Sequence, residues 1–305
     1  MRNPNDNPPF RPIERRSGDR VFSRVIVGGL KTACVSRKQL ESLMVGDCVA
    51  ARGGRRGAKM IFAANGHAIA MAATDPAFRT KFEAADLIHA DGQPAVFASR
   101  WLTQSPIPER SATTDFFHDA AAAAAEHGLS FFLLGASEDV NRRCRETLNT
   151  LYPALAVAGR RNGYFSRDEE DALCEQINAS GADVLWVGLG VPLEYDFCLR
   201  NRHRLKVGWI VTCGGCFNFA VGDYVRAPAW MQASGMEWLY RIWREPQRLF
   251  WRYAVTNPLA LYLLLTRTKP ASLVHGAGGA TPALAQRDAH DRGSPNRKVL
   301  RPDTA

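Results

Sequence analysis

The sequence predicts an α/β fold: a mostly parallel sheet with helices on both faces, followed by a C-terminal helical appendage. Two observations carry that prediction. Between Lys59 and Thr212 short runs of β-type residues alternate with helical stretches, the order of strand-to-helix crossovers, and such crossovers put helices on both faces of a parallel sheet. From Pro228 to Arg252 the composition changes, and PAWMQASGMEWLYRIWREPQRLFWR interleaves arginines with large aromatics. Arginine's planar fork suits phosphate and diphosphate, while Trp and Tyr rings sit where apolar meets wet. A solvated basic helix with core aromatics is the other reading of that stretch.

Taken in order, residues 1–22 are rich in Pro, Asn and Arg and read as a disordered arm. A body over residues 23–226 follows. In it VSRKQLESLMV has a helical look, and ARGGRRGAK, with Arg52, Arg55 and Arg56, reads as a solvated turn rather than a phosphate site. Strands are expected at Lys59–Ala63, Leu87–His89, Ser130–Leu134, Asp183–Val187 and Val207–Thr212. Helices are expected at Thr114–His127, stopped by Gly128, at Glu138–Leu151, capped by Ser137 and ending before Pro153, and at Arg167–Ala179 between Ser166 and Gly181. Residues 227–268 form the appendage and 269–305 read as a disordered tail.

The 305 residues are 46% hydrophobic and 23% charged, an ordinary globular balance, and the net charge of +9 favours an anionic partner. Nucleic acid is disfavoured, because the densest mixture of arginine and aromatics is confined to the appendage instead of lining a groove. Seven scattered cysteines lack disulfide-scaffold spacing and suit a reducing cytoplasm; Cys213 and Cys216 read as packing thiols. The opening has no apolar h-region, so no secretory signal is expected. The apolar run Leu259–Leu265 is far short of the roughly 20 residues that span a bilayer, so a membrane contact would lie on the surface.

In an open parallel sheet ligands bind at the carboxyl ends of the strands. The segments there are Ala64-Asn65-Gly66-His67, Ala90-Asp91-Gly92, Gly135-Ala136-Ser137, Gly188-Leu189-Gly190-Val191-Pro192 and Cys213-Gly214-Gly215. Glycine next to a strand end lets backbone approach a ligand closely. The Gly188/Gly190 pair lacks the third glycine of a dinucleotide fingerprint, there is no P-loop, and no histidine pair has metal-ligand spacing; neither a cofactor nor a metal is expected. Asp115, in the first turn of a helix, can be explained by dipole compensation or can be a general base.

Read in order, the blocks ANGH, ADGQP, PERSATTD, FFLLGASEDV, GYFSRDEE, INASGADVLWVGLGVP, CGGCFNF, RAPAWMQASGMEWLYRIWREPQRLFWRY and TNP resemble the WecG/TagA/CpsF family of bacterial glycosyltransferases, over roughly Phe62 to Leu265. The resemblance implies a Rossmann-like body that transfers a sugar from a UDP-sugar to a polyprenyl-diphosphate-linked sugar, with inversion and without metal, at the inner face of the cytoplasmic membrane. The donor sugar is left as N-acetylmannosamine-type, uronate or hexose, the polymer as an exopolysaccharide or other envelope glycan, and a homo-oligomer is left open. A nucleotide-sugar oxidoreductase or epimerase is the alternative, and it would need the missing fingerprint.

Carried over by motif, the resemblance implies that Asp115 is the catalytic base and that Asn65 hydrogen-bonds substrate, with Ala63 where the family has threonine. Substrate contacts are expected from Asp91, Arg110, Gly135, Gly188, Gly190, Pro192 and Glu194, and Asn218 stands where the family carries aspartate. The segment Gly190-Val191-Pro192-Leu193-Glu194-Tyr195 keeps the family's glycine and proline but loses its usual Lys, Gln and Glu. Arg241, Arg248 and Arg252 are expected to reach the diphosphate from the appendage, which would close over the site, meet the membrane and be dispensable for folding the body.

Overall fold

The computed structural model describes residues 22–54 and 57–271. The expected arm up to residue 21, most of the expected tail, Arg55, Arg56 and the Arg248 side chain lie outside the described residues.

The first described elements are a hairpin, β1 (Arg24–Val27) and β2 (Leu30–Ala33), turning on Gly28 and Gly29 at φ +57° and +90°. Helix α1 (Arg37–Arg52) follows, opened by a Ser36/Gln39 capping box. The central sheet holds six parallel strands, β3 (Lys59–Ala64), β4 (Leu87–Ala90), β5 (Ser130–Gly135), β6 (Ala156–Arg161), β7 (Val184–Gly188) and β8 (Trp209–Thr212), in the order β4-β3-β8-β7-β5-β6. The five expected strands are all present, with ends shifted by at most two residues. Between them run α2 (Gly66–Thr74), α3 (Pro76–Glu83), α4 (Gln93–Leu102), α5 (Thr113–Glu126), α6 (Glu138–Leu151), α7 (Glu170–Ala179), α8 (Leu193–Asn201) and α9 (Cys216–Ala220). Ser137 caps α6 as expected, its side chain accepting from the Val140 amide.

Each sheet face has its own core. On β5, Phe131 and Leu133 join Trp186, Trp209 and the inner faces of α1, α5 and α6; Phe132 and Leu134 point the other way, with Phe62, Leu185 and Ile210, toward α2, α3, α7 and α8. Strands buried on both faces read as continuous apolar runs, which is why these were legible. The edge strand β6 was not: its AVAGRR has no buried residue and no apolar period.

The appendage is α10 (Ala229–Ala233), α11 (Glu237–Arg244) and α12 (Pro246–Thr266), with Pro246 at the first helical position, where its missing N–H costs nothing. Helix α12 packs along α2 and α4, and Leu249, Ala260, Leu263 and Leu264 are buried. Its far end returns to the hairpin: the Gly29 amide donates to the Arg267 carbonyl at 3.0 Å, the Gly28 amide to Thr268 Oγ1 at 3.1 Å, and β9 (Lys269–Pro270) pairs with β1. Two residues of the expected tail are therefore a strand. The last turns of the appendage join the core beneath α2 through Leu263 and Leu264. Among the described residues no helix is long and apolar enough to cross a membrane.

Candidate active site

The site is built at the carboxyl edge of the sheet. Asn65 ends β3 and caps α2: its Oδ1 accepts from the Ala68 amide at 3.1 Å, which leaves Nδ2 to donate to Asp91 Oδ2 at 3.3 Å. Asp91 ends β4, and its other oxygen accepts from the Thr113 amide at 2.8 Å, in the first turn of α5. Asp91 is partly exposed, and among the described residues no cation pairs with it.

Asp115 lies in that same first turn of α5 and has a different environment. Arg226 Nη1 donates to its Oδ1 at 2.8 Å, Arg110 Nη2 to Oδ2 at 3.4 Å, and Arg37 Nη1 stands 3.5 Å from Oδ2. Burial alone would raise its pKa; the Arg226 hydrogen bond and the charges of Arg226, Arg110 and Arg37 outweigh burial and hold it below the usual carboxylate range. The arginines reach onward. Arg110 donates to Glu237 Oε2 at 2.8 Å and to Gln232 Oε1 at 2.9 Å, while Arg226 donates to Gln232 Oε1 at 2.6 Å and lies 3.3 Å from Glu237 Oε1. One charged network thus runs from α5 through two arginines into α10 and α11.

Gly135, Gly188, Gly190 and Pro192 lie together on the neighbouring strand ends. A Cβ on Gly135 would stand 2.3 Å from the Gly188 carbonyl oxygen, and one on Gly188 would stand 2.8 Å from that of Gly214, so the loops after β5, β7 and β8 pack backbone to backbone. Pro192 caps α8. Glu194, two residues on, points inward: its Oε2 accepts from the Gly190 amide at 3.2 Å and the Gly214 amide at 3.1 Å, and burial pushes its carboxyl up to about 7. Cys213 and Cys216 are buried free thiols, pushed well above their usual range by burial.

In the appendage Arg241 stacks over Phe219 at 5.4 Å and donates to the Tyr253 hydroxyl at 3.4 Å; Arg252 sits over the Tyr253 ring at 5.5 Å. His67, at the start of α2, is lowered to about 4 by burial and then by the charge of Arg252, which keeps it neutral. On the outer side Trp243 and Trp251 are 72% and 74% exposed. Arg52 takes no part: its bidentate pair with Asp183, both contacts 2.6 Å, lies at the amino end of β7.

Sequence reasoning singled out Asn65, Asp91, Arg110 and Asp115, and the fold brings all four together. It passed over Arg37, Arg226, Gln232 and Glu237. The last three stand inside or beside the quoted block RAPAWMQASGMEW, so the block was seen but its contacts were not. Arg37 stood in a segment read only as a helix and gave no signal.

A parallel sheet whose carboxyl edge gathers two carboxylates and a cluster of arginines, beside a cationic aromatic appendage, is a frame suited to group transfer. Residues 25–272 match the glycosyl transferase WecG/TagA/CpsF family, and the chain belongs to that family of glycosyltransferases. It is similar to the N-acetylglucosaminyldiphosphoundecaprenol N-acetyl-beta-D-mannosaminyltransferase of Bacillus subtilis, with 30% identity over 179 residues, 59% of this chain and 68% of that protein. The transferase of the same name from Bacillus spizizenii is 28% identical over 204 residues, 67% of this chain and 77% of that one.

Proposed function

We propose that the chain transfers an N-acetylmannosamine-type sugar from its UDP conjugate to a polyprenyl-diphosphate-linked N-acetylglucosamine, as a step in envelope glycan synthesis at the inner face of the cell membrane. The names of the two similar transferases support the sugar and the acceptor. The observation that carries the chemistry is the Asn65–Asp91 pair at the strand ends, bound through the Thr113 amide to the helix turn whose Asp115 holds the arginine cluster.

In this reading an acceptor hydroxyl attacks the anomeric carbon on the face opposite UDP, its proton passes to a carboxylate, and the bond from carbon to the UDP oxygen breaks, inverting the centre. Asp115 is the base the motif suggested. The geometry favours Asp91. A base must present an oxygen that is not already held by cations, and Asp115 is gripped by three arginines whereas Asp91 accepts only neutral N–H groups among the described residues. Asp115 then serves to hold Arg226 and Arg110 where diphosphate charge develops, with Arg241 and Arg252 of the appendage as further cations. Those cations can neutralise the departing diphosphate without a divalent ion. Trp243, Phe250 and Trp251 supply an interfacial surface for a peripheral attachment.

The test is a scan of labelled UDP-sugars against lipid-diphosphate-linked N-acetylglucosamine, with and without EDTA. Transfer of N-acetylmannosamine at an undiminished rate in EDTA is expected. Transfer only of a uronate or hexose would replace the donor, and a rate that collapses in EDTA and returns with Mg²⁺ would end the metal-independent reading.

A further inference from the structure

Glu194 looked from the sequence like a substrate contact, but its residue is only 3% exposed. Its single oxygen Oε2 joins two amides that belong to different loops, Gly190 after β7 and Gly214 after β8. Both glycines hold left-handed backbone, at φ +78° and +49°, and a Cβ on either would meet nothing within 4 Å. Neither loop is therefore fixed at these positions by side-chain packing. The same loops are in backbone contact, with the Gly214 carbonyl against Gly188.

We propose that Glu194 is a positioning residue that clamps the loop after β7 to the loop after β8, so that the two glycine turns form one floor of the donor site. While Glu194 stays buried and only the amides part from it, a carboxylate accepts N–H bonds more strongly than a neutral carboxyl, so the clamp tightens as Glu194 ionises. Burial moves that ionisation from 4.5 to about 7. The titratable groups that face it are Tyr195 and Cys198 on α8 and Cys213 at the end of β8; burial holds all three well above their usual range, so Glu194 titrates alone at neutrality. The sign for global stability is opposite to that for the clamp. The folded pKa is raised, so the contribution is full below about pH 4.5 and is lost as pH rises through about 7.

The clamp is read directly by amide hydrogen exchange over residues 188–192 and 213–215 in the full chain, corrected for the intrinsic pH dependence of exchange. Wild-type protection should rise about tenfold between pH 6 and pH 8. Glu194→Gln keeps an acceptor oxygen without a titrating proton, so its protection should stay flat, and Glu194→Ala should lose protection throughout. Parallel pH series for wild type and Glu194→Gln would overturn the proposal, and that comparison decides it even if the Ala variant fails to fold. The kinetic arm rests on the proposed transfer reaction. There, kcat of the wild type should show a rising limb near neutrality that Glu194→Gln lacks, with Glu194→Ala down about 10–100-fold. If exchange behaves as stated but no UDP-sugar is turned over, the donor assignment falls and the clamp stands. If sugar is transferred and the two pH profiles coincide, the clamp falls.

Discussion

The carboxyl edge of the sheet and the C-terminal appendage are both rich in charge, but they spend it differently. At the edge, polar groups are held in short-range pairs by fixed elements: Asn65 caps α2, Asp91 is bound to the start of α5, and Asp115 sits among three arginines. The appendage divides along its length. In α11 and the start of α12, Arg241 and Arg252 are half-buried while Trp243 and Trp251 face outward, whereas the end of α12 buries Leu263 and Leu264 at 2% and 4% exposure beneath α2. A covering segment can thus be functional at one end and part of the core at the other, and a truncation that removes both cannot separate the two roles.

The largest effect should come from the two carboxylates at the edge. Asp91→Asn preserves the shape and the bond from the Thr113 amide while removing the proton acceptor, so turnover should drop about 10²–10⁴-fold with donor binding little changed. Asp115→Asn should act mainly on KM for the UDP-sugar, because it frees Arg226 and Arg110 from their anchor. Steady-state kinetics on both variants decide between them: full turnover by Asp91→Asn, with Asp115→Asn dead at saturating donor, would return the base to Asp115.

Next in size is the contrast inside α12. Leu263→Ala leaves a cavity in the core and should cost about 2–5 kcal/mol in chemical denaturation, whereas Trp243→Ala and Trp251→Ala remove exposed rings and should stay within about 0.5 kcal/mol of wild type. The expectation that residues after Ala227 are dispensable for folding then fails on Leu263, not on the aromatics. Unchanged stability in Leu263→Ala would restore the independent-lid view.

The proposed membrane attachment is a smaller increment. Tryptophan rings settle at the membrane–water interface, so Trp243→Ala with Trp251→Ala should weaken flotation with acidic vesicles at low salt while leaving transfer to a detergent-dispersed acceptor largely intact. Wild-type protein that ignores such vesicles would remove the interfacial reading of α11 and the start of α12.

How much of this was legible follows from burial and distance along the chain. Strands with both faces covered announce themselves as apolar runs, so β3, β4, β5, β7 and β8 were found; β6 has no buried residue, β1 and β2 form a hairpin outside that sheet with exposed positions, and β9 has two residues. Asn65 and Asp91 were found because glycine and polar residues after a strand mark the ligand edge of a parallel sheet, while Arg110 came only from the family motif. The choice between Asp91 and Asp115 was not legible. It depends on Arg226, 111 residues beyond Asp115, and on Arg37 from α1, and no spacing rule in one sequence reports that they converge on a single carboxylate.

The smallest expected effect concerns that carboxylate in acid. Asp115 is held below the usual carboxylate range, so its ionised form stabilises the fold at neutral pH, and this contribution is lost as pH falls through the folded value. Since Arg226 and Arg110 also hold Gln232 and Glu237, the loss should appear first as loosening of α10 and α11 on the body, before the sheet responds. Limited proteolysis between Ala227 and Arg244 should therefore accelerate below about pH 4, and Asp115→Asn should already show the faster cleavage at pH 7, with little further change on acidification. Cleavage that is equally slow in wild type and Asp115→Asn at pH 7 would mean that Asp115 does not seat the appendage, and the network would then have to be held by Glu237 alone.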